Sequence, residues 1–122
     1  MKKEDVSGLT GLFSGSIANI LDFLLIHKGF DYTKTEIAEN AGVEYKTLFD
    51  NWDTLEQYGL VKETRTIEKV TLYTINLDSS IVKALKKLQH EIMFYDAEIV
   101  AQEQAEAERE VVLGMKKEKV EA

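Results

Sequence analysis

The sequence contains no cysteine and no proline among its 122 residues. Without cysteine the chain cannot form disulfides, iron–sulfur clusters or thiolate zinc sites, and such a composition suits a reducing compartment. The lack of proline, together with many glutamates and lysines, favours helices. Long hydrophobic runs are also missing, since Leu21–Ile26 is too short to span a bilayer and no charged and then apolar leader opens the chain. We therefore expect a cytoplasmic protein that does not bind membranes.

Positive charge is scarce as well. The chain has 15 Lys and Arg residues against 22 Asp and Glu residues, a net charge of −7, and residues 1–80 and 81–122 are both net negative. This is the wrong sign for a protein that holds nucleic acid through bulk electrostatic attraction. Any contact with DNA must therefore depend on a few well-placed side chains.

Catalytic and cofactor-binding patterns are absent from the sequence. There is no G-x-S-x-G, H-E-x-x-H, Walker A or dinucleotide-binding pattern. Gly8, Gly11 and Gly15 follow no predicted strand and precede no Lys-Ser/Thr pair, so they indicate a loop. His27 and His90 are far apart and have no second His or Cys nearby, which favours surface histidines over metal ligands. We expect no enzyme, no metal site and no cofactor.

Apolar residues at helical spacing, interrupted by one β-rich segment, predict the order of the elements. A capping box formed by Thr33 and Glu36 marks the start of the second helix. Gly42 suits a tight turn with positive φ between the second and third helices. The predicted elements are a helix from Ser14 or Ser16 to Lys28, helices over Lys34–Asn40 and Glu44–Tyr58, strands over Leu60–Ile67 and Val70–Ile75, and a helix after the Asp78-Ser79-Ser80 cap cluster.

These elements predict a mainly α protein with a small β-hairpin: a winged helix-turn-helix with a long C-terminal dimerisation helix. Glu68 and Lys69 separate the two strands, but neither is a favoured residue for a tight turn, so we expect a wider tip. The third helix is expected to bury the stripe Leu48, Trp52 and Leu55. The predicted divisions are an N-terminal arm over 1–13, the winged domain over 14–78, a coiled-coil helix over 79–104 and a flexible charged tail over 105–122.

The C-terminal helix carries a heptad seam of about two and a half repeats. Such a seam can pack on its own domain or pair with a partner, and its regular 3.5-residue period favours an intermolecular coiled coil. A homodimer would place two heads on a palindromic operator. The seam residues predicted to mediate dimerisation are Ile81, Leu85, Leu88, Ile92, Tyr95 and Ile99.

Three segments resemble archaeal-type winged-helix transcriptional regulators of the broad MarR/ArsR-like group. Ile17–Leu25 is similar to their opening helix. Glu36-Ile37-Ala38, Ala41-Gly42-Val43 and Gly59-Leu60-Val61 follow their E-I-A … A-G-V … G-L-V pattern, with Leu48, Trp52 and Leu55 between. Leu72–Asn76, followed by Val82–Leu85, resembles their exit from the wing. The match covers residues 14–90 and consists mostly of core positions.

The resemblance implies a regulator that binds double-stranded DNA, with helix three in the major groove and the wing at the flanking minor groove or backbone. It places readout at the exposed front of helix three, where the alternative is a solvated helix face. In the wing, the alternative is charge pairing between the two strands. The predicted DNA-binding residues are Lys34, Tyr45, Lys46, Thr47, Asn51, Arg65 and Lys69.

Acidic residues on helix three support a different function. Asp50 stands where such regulators commonly carry a basic residue, and Asp53 and Glu56 follow on the same helix. Carboxylates repel phosphate, although one can accept a hydrogen bond from cytosine N4. Winged helices also serve as protein-interaction modules. The second hypothesis is therefore an adaptor whose acidic helix-three face binds a basic protein partner.

Overall fold

The computed structural model describes residues 8–121, with side chains as far as residue 114. Residues 1–7 of the predicted N-terminal arm lie outside this range. A short 3₁₀ turn over Leu9–Gly11 precedes the first helix. The elements that follow are α1 (Ser16–Ile26), α2 (Lys34–Ala41), α3 (Tyr45–Gln57), β1 (Val61–Ile67), β2 (Val70–Ile75) and α4 (Ser80–Glu121). The mainly α fold with one hairpin and a long C-terminal helix confirms the predicted fold class.

The core lies where α1, α2 and α3 meet the base of the hairpin. The predicted stripe of α3, Leu48, Trp52 and Leu55, is buried. Each position is three or four residues from the next, so one face of the helix delivers all three side chains to the core. The other buried apolar residues are Leu9, Ala18, Ile20, Leu21, Phe23, Leu24, Leu25, Ile37, Ala38, Leu60, Val61, Leu72, Ile75 and Val82.

The first helix begins at Ser16, one of its two predicted starts, but ends earlier than predicted. Its N-cap is Gly15, whose φ is 105°, and no side chain among the described residues caps it, although a serine at either predicted start was expected to do so. The helix ends at Ile26 rather than Lys28. The backbone leaves helical geometry ahead of Gly29, whose φ of 99° cannot continue a helix.

The hairpin is tighter than its sequence predicted. Ile67 pairs with Val70, so Glu68 and Lys69 alone form the turn, with φ values of 48° and 71°. The prediction of a wider tip was therefore wrong. Two-residue hairpin turns of this kind match the twist of the strands. Here both turn residues adopt left-handed conformations although neither is glycine.

A partly buried polar cluster joins the N-terminal 3₁₀ turn to α1 and α4. The Asp22 carboxylate on α1 accepts hydrogen bonds from the backbone N–H groups of Leu9 (2.7 Å) and Thr10 (3.2 Å). It also accepts from Nε2 of Gln89 on α4 (3.0 Å), and Gln89 is 1% exposed. A Cβ at Gly8 would lie 2.6 Å from the same carboxylate. No local pattern in the sequence signals this long-range contact.

The first turns of α4 pack on their own domain. Ser79 Oγ accepts from the Val82 N–H at the start of the helix, and Val82 is fully buried. Two of the predicted dimerisation residues, Leu85 and Leu88, lie partly buried against the core of the same chain. The first half of the seam therefore follows the alternative interpretation, in which the helix lies on its own domain.

The second half of the seam is less covered. Ile92 and Ile99 are half-buried, and Tyr95 is 65% exposed. Ile81, at the other end, is 43% exposed. The helical backbone continues to Glu121, through the segment predicted as a flexible tail over 105–122. The residues there are mostly Ala, Glu, Lys and Val without proline, and this composition allows the helix to continue.

Candidate nucleic-acid interface

The α2–turn–α3 unit is held by local hydrogen bonds that the sequence predicted. Thr33 Oγ1 accepts from the Glu36 N–H (3.1 Å), while Glu36 Oε1 accepts from the Thr33 N–H (3.0 Å), so the capping box is confirmed. Gly42 has φ 71° and ψ 32°, the left-handed conformation expected for the turn. These contacts fix the direction in which α3 leaves the turn.

The front of α3 presents one lysine among polar and aromatic side chains. Tyr45 and Phe49 are 50% and 59% exposed, and their rings stack with centroids 6.5 Å apart. Lys46 is exposed and Thr47 is half-buried. The Asn51 side-chain amide donates to the Thr47 carbonyl (2.8 Å). That bond uses one of the two Nδ2 hydrogens of Asn51 and restrains the amide that was predicted to pair with adenine.

Lys34 is held over aromatic rings beside α3. Its ammonium lies 5.0 Å from the Trp52 ring centroid, 5.5 Å from that of Tyr73 and 5.9 Å from that of Phe49. Cation–π attraction of this kind restrains the lysine at the start of α2. The Trp52 Nε1 atom is buried and has no hydrogen-bond partner within the part of the chain that the structure describes. The cluster joins α2, α3 and β2, and neither Phe49 nor Tyr73 was predicted to be part of the site.

Arg65 forms an ion pair within the fold. Its Nε and Nη2 atoms donate to the two carboxylate oxygens of Asp31, at 2.8 and 3.0 Å. Thr64 Oγ1 donates to the same carboxylate at 2.6 Å. The geometry arises from a β-bulge, because Glu63 pairs with Tyr73 and Arg65 with Leu72, which leaves Thr64 as an extra residue. The Arg65 charge is thus balanced before any DNA approaches.

Hydrogen bonds from Arg65 and Thr64 hold the pKa of Asp31 below its ordinary value. The sign follows from linkage: a carboxyl with a lowered folded-state pKa stabilises the fold above its unfolded value of about 4. That stabilisation is lost as the pH falls through the lowered pKa. The pKa of Arg65 is raised by the same hydrogen bond and ion pair. This attachment of the wing is therefore complete at neutral pH.

The wing carries its remaining candidate, Lys69, at the exposed second position of the turn. The base of the wing is joined to the loop before α2 by a bridge in which Tyr32 and Tyr73 exchange backbone hydrogen bonds of 2.9 and 2.8 Å. The base of the wing is therefore attached to the loop that also contains Asp31.

Exposed carboxylates lie along the same helix as Lys46, at its N-cap and on α3. Glu44, Asp50, Asp53 and Glu56 are all exposed. Among the seven predicted DNA-binding residues, Lys46 and Lys69 are exposed cations without an ion pair in the described chain, and Lys34 is the cation held over aromatic rings. The Arg65 side chain is paired with Asp31, and the Asn51 side-chain amide donates a hydrogen bond to the Thr47 carbonyl.

Asp31 and the aromatic cluster were not found from the sequence. Asp31 is separated from Arg65 by 34 positions, and its partner is set by the bulge in β1, which no local pattern signals. Phe49, by contrast, lies three positions after Lys46 on the same helix. Helical spacing therefore predicts that these two side chains lie on the same face of α3.

Three helices, a left-handed glycine turn between α2 and α3, and a tight hairpin define this chain as a winged helix-turn-helix protein. No family model and no curated protein sequence matches it. Solved structures of MarR-family regulators share the fold. MepR from Staphylococcus aureus, a transcription regulator of the multidrug efflux pump MepA, aligns with a TM-score of 0.57 and 15% identity over 88% of this chain and 81% of its own.

A second protein with this fold is ZitR from Lactococcus lactis, a zinc-responsive MarR family member. It aligns with a TM-score of 0.56 and 18% identity over 93% of this chain and 81% of its own. Wild-type ZitR in complex with DNA aligns with a TM-score of 0.53 and 17% identity, covering 84% and 72% of the two chains. These similarities support the MarR-like part of the predicted resemblance, while its archaeal-type part stays a prediction.

Among residues 8–114, whose side chains are described, no group of three or more His, Asp or Glu is placed to hold a metal ion. Within the same range, no helix has the length and apolar character needed to cross a membrane.

Proposed function

We propose that this protein is a homodimeric transcriptional regulator that binds double-stranded DNA in a sequence-specific manner. Helix α3 lies in the major groove, the wing lies at the flanking minor groove or backbone, and the two heads contact a palindromic operator. The observation that carries the proposal is the front of α3, where Tyr45, Lys46 and Thr47 project from a capped helix-turn-helix. The solved complex of ZitR with DNA supports it through the shared fold.

The roles of the side chains follow from their geometry. Lys46 is a mobile point charge able to contact guanine or phosphate, and Tyr45 offers a phenol hydroxyl to phosphate. Lys34 is restrained by Trp52 and Tyr73, so it loses less side-chain entropy when it meets a phosphate than a free lysine would. Lys69 at the wing tip supplies the flanking contact. Arg65 contributes mainly by fastening the wing through Asp31.

The decisive experiment measures operator binding by the Lys46→Ala variant. Operator fragments would be selected from genomic DNA, beginning with the chain's own promoter, and affinity measured by fluorescence anisotropy. We expect a loss of about tenfold or more, because two symmetry-related contacts of at least about 1 kcal/mol are removed. The matched control is Lys28→Ala, which removes an equal charge beside Lys86 on α4. Equal affinities for both variants and the wild type would contradict the proposal.

The acidic face of α3 supports a second candidate function, an adaptor that binds a basic protein partner. Glu44, Asp50, Asp53 and Glu56 are exposed on this helix. The adaptor predicts no retention on DNA even at low salt, and loss of partner binding in the Asp50→Asn/Asp53→Asn variant. DNA binding predicts the opposite result, since neutralising two carboxylates near phosphate should strengthen non-specific retention.

A further inference from the structure

Helix α3 carries an exposed apolar surface on the half that follows the turn. Tyr45 and Phe49 are 50% and 59% exposed, and their stacked rings have centroids 6.5 Å apart. Phe49 lies three positions after Lys46, so the two side chains are about 60° apart around the helix axis. Leu48 and Trp52 supply the contacts of this half of α3 with the core. The Phe49 ring is therefore left beside the one lysine of α3, where it can contact a ligand.

The Phe49 ring is restrained by its neighbours although most of it is exposed. The Lys34 ammonium lies 5.9 Å from its centroid and 5.0 Å from that of the buried Trp52 ring. Tyr45 packs against the Phe49 ring from one turn earlier in α3. A phenylalanine side chain has only two torsion angles, and these neighbours restrict their range. The ring would therefore lose little conformational entropy on binding, as side chains that anchor an interface do.

The chemistry around Phe49 favours a base edge over a phosphate. Asp50 and Asp53 are exposed carboxylates on the same helix, and they repel phosphate groups. In the major groove, thymine presents its C5-methyl group, the one apolar substituent among the four bases, and phenylalanine is among the residues that contact it. Such an apolar contact does not depend on charge, so it suits a chain whose net charge is −7.

We infer that Phe49 is a specificity-determining residue that packs against the C5-methyl group of a thymine in the major groove. The inference rests on the proposed function and deepens it, because it names the base that α3 selects at one position of each half-site. Lys46, on the same face of α3, supplies attraction to the DNA. Phe49 distinguishes thymine from bases that lack the methyl group.

The expected contribution of this contact is modest and independent of salt. Removing one methyl group from water changes an affinity about fourfold, so two half-sites should give about fifteenfold. A hydrophobic contact releases no counterions, whereas the contribution of Lys46 falls as salt rises. The preference for thymine should therefore keep its size over a range of KCl concentrations in which the affinity itself falls. That difference separates the role of Phe49 from the role of Lys46.

Replacing thymine by uracil tests the inference, since deoxyuridine pairs like thymidine but lacks the C5-methyl group. Deoxyuridine would be placed at one symmetric pair of thymine positions at a time in the operator duplex obtained by genomic selection, and binding of the full chain measured by fluorescence anisotropy. We expect one such pair to weaken wild-type binding about fifteenfold and to leave binding by Phe49→Ala unchanged. Phe30→Ala, which removes a similarly exposed ring from the loop before α2, is the matched control and should keep the full preference for thymine.

The possible outcomes separate this inference from the proposed function. Equal wild-type affinities for the thymine duplex and for every uracil duplex would overturn the inference while leaving DNA binding intact. An equal effect of uracil on wild type and on Phe49→Ala would also overturn it, since the methyl group would then act through another residue or through the shape of the DNA. Failure to select any DNA at low salt would overturn the proposed function and this inference together, and would favour a protein as the partner of the exposed rings.

Photocrosslinking gives an independent test that needs no variant protein. 5-Iodouracil carries a halogen of roughly methyl size at C5, and on irradiation it forms a covalent bond with an aromatic side chain in contact with it. With this base at the sensitive thymine position, we expect the crosslink in the tryptic peptide 47–62, which contains Phe49, whereas Tyr45 lies in peptide 35–46. Fragmentation in a mass spectrometer would identify the residue. A crosslink confined to Tyr45 or to the wing would contradict the role assigned to Phe49.

Discussion

Glu68 and Lys69 occupy left-handed backbone conformations, with φ of 48° and 71°, although neither is glycine. Side chains with a Cβ are disfavoured there by about 1 kcal/mol or more for each residue. The strands on either side compensate, because Ile67 and Val70 form the last pair of a ladder that needs a two-residue turn. The wing tip is therefore strained in a way that identifies a stabilising substitution.

At this position we predict that Lys69→Gly raises the free energy of unfolding by about 1 kcal/mol, because glycine adopts positive φ without a steric penalty. Urea denaturation at fixed protein concentration would measure it. Lys69→Ala is the matched control, since it removes the same amine but keeps the Cβ. Any loss of DNA affinity should be equal in the two variants, whereas a gain in stability should appear in the glycine variant alone. Equal stabilities would show that the turn carries no such strain.

At the scale of elements, the contacts between α1, α4 and the N-terminal turn depend on one polar cluster. Asp22 accepts three hydrogen bonds, from Leu9, Thr10 and Gln89, and the Gln89 side chain is 1% exposed. The buried Gln89 amide would be costly to leave without its acceptor. The cluster therefore helps to determine how α4 leaves the winged domain.

For this cluster we predict that Gln89→Glu destabilises the protein at pH 7 by about 3 kcal/mol, since it places a second carboxylate beside that of Asp22. The carboxyl pair then has a raised pKa, so the destabilisation should shrink as the pH falls and one carboxyl is protonated. Thermal melts between pH 4 and 8 would measure this. Gln89→Met, of similar size, should cost less and show no added pH dependence. A pH-independent loss in the first variant would contradict the assigned contact.

At the level of the whole molecule, any binding to DNA must accommodate the net negative charge of the chain. With a net charge of −7, the chain as a whole repels DNA, and in the proposed dimer three lysines of each copy, Lys34, Lys46 and Lys69, would oppose that repulsion. Binding by so few cations should be weak without a specific sequence and should fall as salt rises. The five glutamates of residues 98–110 on α4 account for part of the negative charge.

The salt dependence of operator binding follows from this number of cations. Six phosphate contacts in a dimer predict a slope of log affinity against log salt of about −5, and Lys46→Ala should reduce its magnitude by about 2. Anisotropy titrations over a series of KCl concentrations would determine both slopes. Lys28→Ala should leave the slope unchanged. A wild-type slope near −2 to −3 would be typical of one head bound rather than two.

Much of the fold was predictable because its signals are local. Capping by Thr33 and Glu36, the left-handed turn at Gly42 and the buried stripe of α3 each depend on residues within a few positions of one another. The site was less predictable. Lys46 and Tyr45 were proposed from the family resemblance and are exposed on α3, but the partners of Arg65, Lys34 and Asn51 became evident only from the folded chain.

Local sequence signals specify the order of the elements, the winged helix-turn-helix and the face of α3 that enters the core, because periodicity and capping act over three or four residues. Only the folded chain shows that Asp31 neutralises Arg65, that Leu85 and Leu88 pack on their own domain, and that Asp22 is linked to Gln89. Those contacts join residues between 34 and 67 positions apart, or depend on a bulge or a helix angle. No pattern within a short stretch of sequence encodes such distances.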